Sequence, residues 1–205
     1  MPFGMSNALS TLMRTMMHML RSLIGKCVVV YFDDILVYNH SKETHLQDLR
    51  AVLEILRHEK MYAHPKKCYF LTDTMSFLGF IVTAEGVKAD PSKVQAIVDW
   101  PTPHTITKTR NFLRLASFYK RFIRNFSSIM APVSDCLMGR SFKWSEVANN
   151  AFQLMKKKIT QAPVLALPDF DKVFKVDCDA SAAGIGAVLR QEGRPIVFIV
   201  INLMV

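Results

Sequence analysis

Acid is the scarce charge in this chain. Its 205 residues carry 26 lysines and arginines against 17 aspartates and glutamates, for a net charge of +9. The sequence pI is about 9.5. Residues 100–134 contain no acid at all. A basic globular protein of this kind most often meets nucleic acid or an acidic surface. Cysteine is also sparse. Cys27, Cys68, Cys136 and Cys178 lie far apart and form no Cys-x-x-Cys pair. That argues against zinc ligation and a disulfide framework, and for free thiols in a reducing compartment. The six histidines show no His-Glu-x-x-His spacing. No apolar run reaches membrane-spanning length; residues 196–205 are too few and include Asn202. No membrane association is therefore expected. The opening Met1-Pro2-Phe3-Gly4 lacks the basic and apolar regions of a signal peptide, so an intracellular location is expected. No internal repeat or low-complexity segment is visible. Half the residues are hydrophobic, enough for a sizeable core in one domain or two small ones.

The chain is organised around residues 28–38, Val-Val-Val-Tyr-Phe-Asp-Asp-Ile-Leu-Val-Tyr. Two β-branched runs flank a pair of acids, which reads as a β-hairpin with Asp33 and Asp34 at its tip. Two carboxylates about 4 Å apart repel by about 1 kcal/mol in water and about 4 kcal/mol at an effective dielectric near 20. A divalent cation would reverse that repulsion. Neighbours on a regular strand face opposite ways, so both acids serve one site only where the chain turns. A solvated Asp-Asp turn without metal stays open as the plainer reading.

The flanking elements follow from spacing. Leu9, Leu12, Met13, Met16, Leu20 and Leu23 form one helical face, capped by Ser6 or Asn7 and ended at Gly25-Lys26. Leu46, Leu49, Leu53 and Leu56 give a second helix from Ser41 to near Lys60. His64-Pro65-Lys66-Lys67 is a basic turn. Residues 68–71 and 75–82 read as two strands, with Gly79 as an interruption that suggests a bulge or a close approach. Asp90-Pro91 starts a short helix that ends at Trp100. Strand, helix and strand suggest an α+β sheet with helices on one face.

Beyond Trp100, Lys108, Arg110, Arg114, Lys120, Arg121 and Arg124 alternate with Phe112, Phe118, Tyr119, Phe122 and Phe126. Phe112, Leu115, Tyr119, Phe122 and Phe126 fit one helical face. The cations could be a solvated face of a packed helix. Solvated faces usually mix both signs, however, and this one does not, which favours contact with a nucleic-acid backbone. Ser145 caps a further helix, and Lys156-Lys157-Lys158 suits its C-terminal dipole. Residues 163–168 read as a linker. Residues 174–178, 184–189 and 196–200 read as strands, the last two joined by Gln191-Glu192-Gly193-Arg194. A lone hairpin is marginal in water, so order after Phe174 is expected to depend on packing against the preceding helices.

Taken together, these motifs resemble a stretch of the Pol polyprotein of gypsy-type LTR retrotransposons. Pro2-Phe3-Gly4-Met5-Ser6-Asn7-Ala8 is similar to the nucleotide-pocket motif, although Leu9 stands where proline is usual and Leu12 where phenylalanine is. Tyr31-Phe32-Asp33-Asp34 resembles the polymerase hairpin, Pro65-Lys66-Lys67-Cys68 a lysine segment near the triphosphate, and Phe77-Leu78-Gly79-Phe80 the primer grip. Val176-Asp177-Cys178-Asp179-Ala180-Ser181 and Gly184-Ile185-Gly186-Ala187-Val188-Leu189 resemble the opening hairpin of an RNase H domain.

The resemblance implies a division into residues 1–86 (C-terminal part of a reverse-transcriptase palm), 87–162 (mostly helical thumb and connection) and 163–205 (an incomplete RNase H-like start, divergent after 197). It implies Asp33 and Asp34 as metal ligands, Lys67 as a catalytic lysine and Asp179 as the first RNase H carboxylate. It places Phe3, Gly4 and Tyr31 near the nucleotide and Phe77, Leu78 and Gly79 at the primer grip. The six cations would hold nucleic-acid backbone. The intact parent would use two Mg2+ ions, deoxynucleoside triphosphates and an RNA/DNA primer–template, in the cytoplasm or a virus-like particle. The family's other polymerase Asp precedes the nucleotide-pocket motif, and most RNase H acids follow Asp179. These 205 residues alone are thus expected to be inactive. A non-catalytic primer–template module, or a structural partner of a full-length polymerase, is the alternative.

Overall fold

The structure, a computed structural model, describes residues 7–138, 141–181 and 184–202. The chain forms two compact units, residues 1–72 and 73–205.

In the first unit, helix α1 (Ala8–Met19) precedes strands β1 (Val28–Tyr31) and β2 (Asp34–Val37), helix α2 (Lys42–His58) and a 3-10 turn (Pro65–Lys67). Alternation along β1 sends Val28 and Val30 inward and leaves Val29 and Tyr31 exposed. The inward valines meet Met16 and Leu20 from the α1 side and Val52 and Leu56 of α2. Ser41 caps α2 by accepting from the Thr44 backbone N–H at 3.2 Å. Cys27 joins this core, and burial, followed by its hydrogen bond with Asp48, pushes its thiol up to about 11. All four cysteines are free.

Several local expectations change here. Helix α1 stops at Met19, short of the expected end at Gly25-Lys26; beyond it the chain runs in turns, the Leu20 carbonyl accepting from Leu23 and Ile24 and the Leu23 carbonyl from Lys26, Cys27 and Val28. Ser6 lies outside the described residues, and the Asn7 side chain makes no cap bond. Residues 68–71 are not a strand: Leu71 sits at φ +52, and Tyr69 and Phe70 are exposed with no partner strand.

The second unit opens with an antiparallel meander of β3 (Thr74–Phe77), β4 (Phe80–Thr83) and β5 (Gly86–Ala89). Residues 75–82 are therefore two strands, and Gly79 is a turn residue, not a bulge. Phe77 pairs with Phe80 across Leu78 and Gly79, at φ +52 and +76. Two left-handed residues in a two-residue loop match the natural strand twist. The segment read as a linker is also structured, since Val87 and Leu165 exchange both backbone hydrogen bonds at 2.8 Å.

Helices α3 (Pro91–Val98), α4 (Ile106–Phe118), α5 (Phe126–Asp135) and α6 (Glu146–Thr160) follow. Phe112, Tyr119, Phe122 and Phe126 are buried in one core with Phe152 and Met155 of α6. Their spacing reads as one helix, but α4 ends at Phe118. A 3-10 turn (Lys120–Phe122) and a left-handed Asn125 at φ +58 precede α5. Strands β6 (Lys175–Ser181), β7 (Gly184–Gln191) and β8 (Arg194–Asn202) form a second antiparallel sheet. Residues 196–202 are thus strand, and Phe198 packs against the helical core.

Asp90 caps α3, accepting from the Ser92 hydroxyl at 2.8 Å and the Ser92 N–H at 2.9 Å. These bonds, the hydroxyl first, hold its carboxyl below the usual 3.8. A depressed carboxylate contributes stability that is present above 3.8 and is lost as pH falls through the lower folded value. Asp90→Ala is expected to lower the melting temperature at neutral pH through loss of about 1 kcal/mol of capping. The gap from the parent should close in strong acid; thermal melts across pH 2–7 by circular dichroism check it.

Candidate functional site

The β1–β2 hairpin places its acids by register. Tyr31 pairs with Asp34, so Phe32 and Asp33 form the two-residue turn. Phe32 sits at φ +52, a conformation costing a non-glycine residue about 1–2 kcal/mol. Its N–H meets the Met13 sulfur at 2.9 Å, and its ring packs edge-on against Tyr31 at 4.7 Å. The strained turn breaks strand alternation, so adjacent acids both stand at the exposed tip. Neither makes an ion pair among the described residues. Two exposed carboxylates are hard oxygen donors suited to a divalent cation. They are a partial set: among the described residues no group of three or more His, Cys, Asp or Glu could hold a metal ion.

Tyr31 is 47% exposed on the outer face of the hairpin, beside Val29. Lys67 ends its 3-10 turn with an exposed side chain. Phe3 and Gly4 lie outside the described residues.

In the second unit, Phe77, Leu78 and Gly79 form the tip of the β3–β4 hairpin. Tyr119 Oη donates to the Gly79 carbonyl at 2.9 Å. Burial, then the charge of Asp90, pushes the Tyr119 hydroxyl up to about 12, so it stays protonated as a donor. A Cβ at Gly79 would come within 3.2 Å of the Phe118 ring. Sequence reasoning did not single out Tyr119 for this bond.

Lys108, Arg110, Arg114, Lys120, Arg121 and Arg124 are all exposed, and none forms an ion pair among the described residues. They do not line one helix. Lys108, Arg110 and Arg114 are on α4, with the last two a turn apart; Lys120 and Arg121 are in the 3-10 turn, and Arg124 follows it. The Arg121 guanidinium lies over the Phe80 ring at 5.2 Å.

Asp179 pairs in register with Gly186 across β6 and β7. Two residues back on the same face, Asp177 is drawn to Arg190 at 3.2 Å and Lys175 at 3.5 Å. A cavity of about 70 Å³ beside them is lined by Arg124, Asn125, Asp177, Asp179 and Arg190 among others. Asp177 is therefore neutralised by cations, which leaves Asp179 the freer carboxylate.

Residues 1–82 match the family described as reverse transcriptase (RNA-dependent DNA polymerase), and residues 144–201 match the RNase H-like domain found in reverse transcriptase. The Pol polyprotein of the Drosophila melanogaster transposon gypsy is 39% identical over 97% of this chain, and that of transposon 297 is 40% identical over 97%. The chain belongs to the gypsy-type retrotransposon Pol family. It is a reverse-transcriptase stretch that runs into an RNase H-like region. It spans about a fifth of the length of those two relatives (20% and 19%). An uncharacterised mitochondrial protein of Arabidopsis thaliana is 41% identical over 63% of this chain and 83% of its own length. The α+β fold matches a foamy viral protease–reverse transcriptase solved with double-stranded DNA, at TM-score 0.87 and 24% identity over 99% of this chain and 36% of that one. A related foamy viral structure was solved with an RNA/DNA hybrid, TM-score 0.84. Reverse transcriptases and RNases H generally work with divalent metal. No helix of the described residues is long and apolar enough to cross a membrane.

Proposed function

We propose that this chain is the primer–template-gripping part of an RNA-directed DNA polymerase. Residues 1–86 supply the C-terminal part of the palm, 87–162 the thumb and connection, and 163–205 the opening of the RNase H-like domain. The observation that carries the reading is the run of six exposed cations without an ion-pair partner among the described residues. They suit the phosphates of a duplex, with Phe77, Leu78 and Gly79 against the primer strand.

Asp33 and Asp34 would each offer a carboxylate to Mg2+ in the complete enzyme, and a bound pair of such ions supplies charge stabilisation at the attacking and leaving oxygens. Tyr31, with Phe3 and Gly4, would border the incoming deoxynucleoside triphosphate. Lys67 would donate a proton to the departing pyrophosphate, and Asp179 would be the first RNase H carboxylate. The family pattern puts the partner carboxylate of Asp33 in a segment that precedes the nucleotide-pocket motif. We place the protein inside the cell on the same family grounds.

The 205 residues alone should therefore bind a primer–template and not extend it. Neutralising four to six phosphates predicts an affinity that falls by about 10²–10³ between 50 and 200 mM salt. A flat salt dependence would sink the grip. Mg2+-dependent primer extension that disappears in Asp33→Asn would show that the chain completes its own metal site. A second reading, a subunit beside a longer polymerase chain, draws on the exposed apolar face of Val29 and Tyr31. It predicts co-purification with that polymerase.

A further inference from the structure

We propose that Tyr119 is a positioning residue: its hydroxyl fixes the Leu78-Gly79 turn to the cationic segment of residues 118–124, so that turn and cations hold a primer terminus as one body. The inference rests on the primer-grip reading of that turn.

The tyrosine is 1% exposed, in a cluster with Phe80 (5.8 Å), Phe118 (5.0 Å) and Phe122 (6.2 Å). A phenylalanine would fill this space equally well. The hydroxyl needs a partner in such surroundings, and it finds one 40 residues away in sequence, the Gly79 carbonyl. That carbonyl belongs to the turn, outside the β3–β4 pairing that ends at Phe77 and Phe80. Nothing in the hairpin's own ladder holds it.

Two other contacts brace the same tip. The Phe118 ring closes against Gly79, so that a Cβ there would sit 3.2 Å from the ring edge, tighter than ordinary contact. Phe80, the residue after the turn, stacks on Phe118 at 4.8 Å with ring planes 8° apart, and carries the Arg121 guanidinium on its ring. All three anchors come from residues 118–121, a segment that includes Lys120 and Arg121 and leads on to Arg124. Of the three, only the Tyr119 bond seizes the turn backbone by a directional contact. Without it, the left-handed Leu78-Gly79 pair could rock while the aromatic cluster stayed packed.

The test uses the full chain and two labelled duplexes of equal paired length, one blunt and one with a recessed primer 3′ end. The parent should prefer the recessed end. Tyr119→Phe keeps the ring and removes only the donor, and is expected to cut that preference about fivefold. Its affinity for the blunt duplex and its salt slope should not change. A preference that survives in Tyr119→Phe overturns the proposal. So does an equal loss on both duplexes that tracks a lower melting temperature, which would make the tyrosine a packing residue only. Absence of any preference in the parent overturns the primer-grip reading itself, and this proposal with it.

Discussion

Gly86→Ala is expected to lower the melting temperature of the second unit by about 10 °C or more, the counterpart of about 3 kcal/mol. Gly86 sits at φ +139, and a Cβ there would lie 2.1 Å from the Leu165 carbonyl oxygen. That oxygen accepts from Val87 N–H, and the Leu165 N–H returns a bond to Val87. No side-chain rotation relieves a clash between a Cβ and a backbone oxygen. Either β5 or residues 163–168 must withdraw, and both reciprocal bonds go with them. Calorimetry or a circular dichroism melt checks this. A shift under about 2 °C would mean that the two segments are not held together in solution.

The largest functional effect is expected from removing charge. Arg110→Gln, Arg114→Gln, Lys120→Gln and Arg124→Gln together should weaken primer–template binding by about 10²-fold at 0.1 M salt. The slope of log affinity against log salt should become shallower by about 3 to 4. All four side chains are exposed and outside any ion pair among the described residues, so the melt should barely move. Arg121 is left in place because its guanidinium also braces Phe80. Affinity and slope that match the parent would return these cations to an ordinary solvated face.

What could be read from sequence was local. The Asp33-Asp34 tip follows from β-branched runs on either side, and the caps at Ser41, Asp90 and Ser145 each sit within three residues of the N–H they satisfy. The apolar face from Phe112 to Phe126 was legible as core. Its break was not, because a 3-10 turn and a left-handed Asn125 keep the rings in register while the helix axis changes. Residues 68–71 look like a strand in composition, yet a strand needs a neighbour, which no local pattern supplies. Leu78-Gly79 between two phenylalanines is compatible with either a bulge or a turn until the register is known. The bridges from Val87 to Leu165 and from Tyr119 to Gly79 join distant parts of the chain, and nothing in either local sequence announces the other.

The β6–β7–β8 sheet has two unlike borders. Outer strand β6 carries Lys175, Asp177 and Asp179, whose charges discourage a second sheet from pairing with it. Outer strand β8 has no charged residue after Arg194 and runs Ile196, Val197, Phe198, Ile199, Val200 and Ile201. A net charge of +9 makes copies of the protein repel one another. The ionic strength that strips off nucleic acid also screens that repulsion. Colloidal stability is therefore expected to be lowest in the very solutions used to free the protein of nucleic acid, where the apolar outer strand β8 has the least charge to keep neighbouring molecules away.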